Sequence, residues 1–262
     1  MADYDNRAVS SPIAVGAVDE GLRAYMLRVY NYMLAGLAIT GIASYATYLL
    51  AVTTDPAAAA HLSGGGIAAM PGGTMLTAFG YALFATPLRW VLLFGSLGLV
   101  MFLSFRIQHM SVAAARACFL AYAGLIGMTF AVLFMVYTYA SVAEVFFITA
   151  ATFGAMSLYG YTTRADLSAW GSFLFMGLIG IIIASVVNMF LQSSMMQWVI
   201  SVIGVLIFTG LTAYDSQSIK NMYYVGDDGE LMGKKAIMGA LRLYLDFINL
   251  FLFLMRFMGN RR

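Results

Sequence analysis

Two aspartates sit in stretches of sequence otherwise suited to an apolar surrounding: Asp215 in "FTGLTAYDSQSIK" and Asp246 in "LYLDFINLFLFLMRF". An unpartnered carboxylate in such a setting is very costly, so residues of this kind are paired, protonated or turned toward water. Two carboxyls brought together do not both ionise easily; they share a proton and titrate as a unit. That is the chemistry of a pH-dependent latch or a cation site. The plainer roles are a helix end in the headgroup region for Asp215 and a hydrogen bond to a neighbouring Tyr or Thr for Asp246.

Other polar residues are spaced so that they could join this pair. Thr209, Thr212 and Asp215 recur every three residues and predict a polar helix edge ending in a carboxylate. Around a helix, Asn249 and Arg256 point within about 20° of one another and Asp246 is offset by about 60° from Asn249, which predicts a broad polar stripe. Asp246 and Arg256 are separated by about 15 Å of helix, so neither can neutralise the other within the helix. Glu144, in "YASVAEVFF", is the candidate partner for Arg256, and Arg106, in "LSFRIQHMS", is a candidate basic latch for the aspartates. Arg106 also reads as simple anchoring at a membrane surface. Carboxylate oxygens suit hard cations such as calcium, but two aspartates alone make a weak, transient site.

The elements that would hold these residues are membrane helices. Of the 262 residues, 62% are hydrophobic and only 10% are charged, against about 25% charged in an ordinary soluble domain. Seven stretches are long and apolar enough to cross a bilayer: about 29–52, 88–105, 117–139, 145–161, 169–191, 198–215 and 240–258. The expected fold is therefore an all-α, polytopic seven-helix bundle, with a mobile tail over 1–24 and one transmembrane domain over 25–262. The stretch 145–161 is the weakest because Gly154, Ser157 and Gly160 interrupt it. Residues 53–87 read as a long connection in which "MLTAFGYALF" could pack as a short interfacial piece. Placing the amino terminus in the cytoplasm puts ten of the 14 basic residues on that side and leaves Arg89, Arg256, Arg261 and Arg262 opposite. The three terminal arginines are discordant and keep open a last segment that dips in and returns. Gly177, Gly180 and Ala184 offer small-residue spacing that reads as ordinary helix packing.

Several function classes fall away. The basic residues are scattered singly, which argues against nucleic acid binding. Cys118 is the only cysteine, so neither an intrachain disulfide nor a cysteine metal cluster can form. An intramembrane aspartyl protease would pair two aspartates in this way, but the Gly-x-Gly-Asp context and a later Pro-Ala-Leu element are missing. Ser157 has no histidine in a later helix to act as its base. The expectation is no enzyme and no cofactor, with the bilayer, protons and a weakly held cation as partners, or else a scaffold that binds other membrane proteins.

The run "EVFFITAATFGAMSLYGYTTRADLSAWGSFLFMGLIGIIIASVVNMF", followed by "TGLTAYDSQSIK" and "ALRLYLDFINLFLFLMRF", resembles the Bax inhibitor-1 family, from about residue 20 onward. That resemblance implies a seven-helix protein whose Asp215 and Asp246 form a pH-sensitive pair controlling a calcium leak, in a bacterial inner membrane. It implies Arg106 as the latch from the second helix. An acidic residue that some relatives carry in that helix has no counterpart here, since 88–105 contains neither Asp nor Glu.

Overall fold

The computed structural model describes residues 12–62, 66–70 and 73–261. Helix α1 spans Pro12–Ala51 and leads into a two-residue strand β1 (Val52–Thr53), paired antiparallel with β2 (Met75–Leu76). Then come the short α2 (Ala78–Phe84) and six long helices: α3 (Leu88–Arg106), α4 (Val112–Val136), α5 (Tyr139–Thr162), α6 (Ser168–Leu191), α7 (Ser194–Asn221) and α8 (Gly229–Met258). Seven of these helices are long and apolar enough to cross a membrane, as the sequence predicts.

The differences lie at the ends. Helix α1 starts at Pro12 and occupies much of the stretch expected to be a tail; the rest of that stretch, 1–11, lies outside the described residues. Helix α5 is continuous despite its glycines, and α8 is a single helix of 30 residues with no return bend, long enough at about 45 Å to cross a bilayer. It begins at Gly229, well ahead of the expected start at residue 240. The expected interfacial piece at 75–84 is β2 followed by α2, pinned to the end of α1 where the Thr77 amide and hydroxyl donate to the carbonyls of Ala51 and Leu50.

Helix starts follow local chemistry. Ser111, Thr138, Ser193 and Asp228 each accept a hydrogen bond from a backbone amide of the first turn that follows, filling a donor the helix itself leaves open. Gln192 closes α6 in the left-handed region, at φ 50°, and turns the chain directly into α7.

Helix α8 is the most deeply buried of the seven and packs against α1, α4, α5 and α7. Around it α1 packs on α4, α5 on α7, and α3 and α6 lie outermost against α4 and α7. Phe105, Phe190 and Met195 are among many large apolar side chains on the outer surface, which is the expected face toward lipid. In such a solvent helices are held by close packing and hydrogen bonds. Gly160 of α5 shows the closest kind of approach: a Cβ there would overlap the Ala213 carbonyl of α7. Gly177 faces the Ile207 side chain, while a Cβ on Gly180 would meet nothing, so Gly180 of the Gly180–Ala184 spacing makes no close helix contact.

Hydroxyls tie the bundle together. Ser216 donates to the Thr212 carbonyl at 2.7 Å, and its oxygen lies 2.8 Å from that of Ser157, which lies 2.7 Å from the Tyr30 hydroxyl. Because the Ser216 proton is spent on the carbonyl, the chain runs one way: Tyr30 donates to Ser157 and Ser157 to Ser216, linking α1, α5 and α7. Thr40 and Tyr244 form a second tie, 2.7 Å apart, between α1 and α8.

Candidate functional site

Helices α7 and α8 run side by side and bring Asp215 and Asp246 together, near enough for their carboxyls to interact directly. Asp215 is half-buried; Asp246 is only 5% exposed, and its Oδ2 has no hydrogen-bond partner among the described residues. Burial is forced by the pattern "LYLDFINLF": the flanking Leu243, Tyr244, Phe247 and Ile248 are all core residues, so the carboxyl between them is carried inside.

The pair opens onto a cavity of about 900 Å³ between α6, α7 and α8. Arg242, Asp246, Asn249 and Phe253 line one wall at three- and four-residue spacing along α8, one face of a helix. Tyr214 and Asp215 supply the α7 wall, and Ser172 and Ser185 bring hydroxyls from α6. Asn249 donates its amide to the Leu245 carbonyl at 2.8 Å. Arg242 is exposed at this site and its positive charge acts on both carboxyls, without a direct ion pair among the described residues.

The other expected site residues lie elsewhere. Thr212 is fully buried and donates to the Phe208 carbonyl of its own helix at 2.8 Å, the usual way a buried helical hydroxyl is satisfied; the predicted polar edge of α7 is therefore split between cavity and core. Arg106 is exposed at the end of α3 and does not line the cavity, because α3 packs on α4. Arg256 continues the α8 stripe but lines a smaller cavity of about 420 Å³ with Asn188, Gln192 and Gln197, and lies over the Phe253 ring at 5.8 Å. Ser185 borders both cavities. Glu144 is exposed on α5 and makes no ion pair with Arg256 among the described residues.

Arg242, and not the expected Arg106, is the basic side chain at this cavity. The signal was present: Arg242 precedes Asp246 by four residues, the spacing that puts both on one helical face. Among the described residues, His, Cys, Asp and Glu nowhere gather in the threes that would hold a metal ion tightly. The ligands available to a cation in the cavity are the two carboxyls and neutral oxygens. Such an arrangement can share protons, hold a cation weakly and change its charge with pH.

The family model described as "Inhibitor of apoptosis-promoting Bax1" matches residues 22–262. A Rickettsia prowazekii protein, RP147, is 45% identical over 262 residues and covers all of both chains. The Escherichia coli inner membrane protein YbhL is 44% identical over 245 residues, 92% of this chain and 94% of its own. A protein of Borreliella burgdorferi is 53% identical over 166 residues, 63% of this chain and 72% of its own.

Proposed function

We propose, for a chain that belongs to the Bax inhibitor-1 family, that it is a pH-sensitive calcium leak or weak cation transporter gated by Asp215 and Asp246. Its place is a bacterial inner membrane with the amino terminus in the cytoplasm, supported by the basic-residue distribution and by the likeness to an inner membrane protein. The observation that carries the reading is a facing pair of carboxyls, one of them deeply buried, at the wall of a cavity with a guanidinium at hand.

In the closed state Arg242 attracts the charge of the pair and helps hold α7 and α8 together. Protonation weakens that attraction and relaxes the contact, so the cavity can extend along α8 past Asn249 and Ser185. The same protonation weakens cation binding at the carboxyl oxygens. The two effects oppose one another, and the sign of the pH response reports which step limits flux. No bond-making chemistry and no cofactor is assigned to the site; calcium is cargo.

The test is flux into liposomes holding the purified protein, with calcium outside and an indicator inside. Wild type should conduct slowly at a rate that changes between about pH 6 and pH 8, the range open to a buried, coupled carboxyl pair. Asp215→Asn and Asp246→Asn should each alter that profile while the protein stays folded. Equal flux and pH response in all three would reject the gate, and absence of flux in oriented wild-type vesicles would shift the reading to a scaffold for other membrane proteins.

A further inference from the structure

A second feature lies at the end of the bundle that carries the α4–α5 turn. A cavity of about 800 Å³ beside α2, α3 and α4 is lined by apolar side chains that include Phe84, Leu93, Val132 and Val136, with Arg89 and Arg261 also in its wall. Arg89 lies in the first turn of α3, where no acidic residue is present. A cation in the first turn of a helix meets the positive end of the helix dipole, so this position favours a nearby anion.

Arg261 is held beside it by backbone. The chain beyond α8 folds back on the α4–α5 turn, where the Thr138 amide donates to the Asn260 carbonyl at 3.1 Å and the Asn260 amide to the Ser141 hydroxyl at 2.8 Å. Tyr137 and Arg261 then pair as an antiparallel bridge. Among the described residues neither Arg89 nor Arg261 has a carboxylate in ion-pair contact, and no acid lines the cavity. Arg89 lies over the Trp90 ring at 5.3 Å, and Trp90 stacks on Phe94 at 5.9 Å, both rings on the outer surface. Exposed aromatics of this kind mark the level of the headgroups.

We infer that this cleft holds an anionic glycerophospholipid, with the phosphate between Arg89 and Arg261 and one acyl chain along Leu93, Val132 and Val136. The charge selects the headgroup: two guanidinium forks match a phosphodiester bidentately, and a zwitterionic lipid would bring its own cation against them. The apolar lining selects a chain rather than a free ion. This also gives a use to two of the arginines that stand against the positive-inside pattern.

The test is native mass spectrometry of delipidated protein offered phosphatidylglycerol, phosphatidylethanolamine, or phosphatidylglycerol together with inorganic phosphate. Wild type should retain phosphatidylglycerol above phosphatidylethanolamine, and Arg89→Gln and Arg261→Gln should each lower that retention about fivefold, the factor for one basic residue near a lipid surface. Val132→Trp, which fills the cleft and leaves both charges, should lower it too; Arg164→Gln, at the far connection, should not. Equal retention of the two lipids, or arginine variants that behave as wild type, would overturn the inference. So would displacement of phosphatidylglycerol by inorganic phosphate or full retention in Val132→Trp.

Discussion

Arg242 stands one helical turn before Asp246 on α8, and the two line the same cavity as Asp215. The guanidinium is exposed while the carboxyl it faces is buried, so charge is supplied from the wet side of the site to groups on its dry side. Arg242→Gln should move the midpoint of the pH–flux profile to higher pH, because a carboxyl that loses a neighbouring cation ionises less readily. Arg242→Lys keeps the charge and should leave the midpoint close to wild type. Flux measured across a pH series decides this, and an unmoved midpoint in Arg242→Gln would remove the arginine from the gate.

The aspartates should behave as one titrating unit. Either Asn substitution should flatten the pH profile, and the double variant should add little to the stronger single one. Additive effects of the two substitutions on the profile would show two independent groups and count against a shared proton.

Gly160→Ala is expected to destabilise the bundle by about 1–3 kcal/mol, the usual cost of forcing atoms into a packed contact, because the new methyl overlaps the Ala213 carbonyl. Gly180→Ala, with open space around the site, should be tolerated. Thermal unfolding in detergent separates them. Since Ala213 lies two residues from Asp215, a folded Gly160→Ala should also disturb the pH response.

Ser157→Ala should cost about twice as much stability as Tyr30→Phe. The serine makes two links of the hydroxyl chain and the tyrosine one, and an interhelical hydrogen bond in a membrane contributes about 0.6 kcal/mol on average. Equal losses would mean that the chain is not a connected unit.

Asp166, on the α5–α6 connection, accepts hydrogen bonds from Ser168, through the side chain first and the backbone second, which hold its carboxyl below the ordinary value of 3.8. A group whose value is depressed on folding contributes stability above its unfolded value and loses it as pH falls through the lower one. The first turn of α6 should therefore stay fixed at neutral pH and loosen only in acid below 3.8. The Ser168 amide shift, followed by NMR, should titrate in that range in wild type and remain flat in Asp166→Asn.

Much of this was legible in the sequence because apolar length alone nearly determines a membrane helix. Asp246 could be placed inside because its neighbours on every side are Leu, Phe, Tyr and Ile. Because consecutive spans cross the bilayer in opposite directions, the start of α8 falls at the depth of Asp215 near the end of α7. Helix α5 reads as the weakest span because Ser157 and Gly160 look like interruptions when taken alone. Their purpose lies in other helices: one is bonded to Tyr30 and Ser216, the other gives room to the Ala213 carbonyl. Arg106 was a plausible latch by position along its helix, but which helix packs on which is not written in hydropathy, and α3 lies on α4 away from the pair. Thr212 shows the same limit within a single helix: its spacing matches Asp215, yet its hydroxyl turns to the Phe208 carbonyl.

The central position of α8 has a consequence for how the protein is made. Of the seven spans it is the last to leave the ribosome, and it is also the hub on which α1, α4, α5 and α7 rest. The rim is delivered before its hub. Until residues 229–258 arrive, Thr40 lacks Tyr244 and Asp215 lacks Asp246; α1 can meet α4 and α5 can meet α7, but the contacts that converge on α8 cannot form. The faces of α1, α4, α5 and α7 that the finished bundle conceals against α8 therefore stay uncovered until the last of the seven spans is inserted.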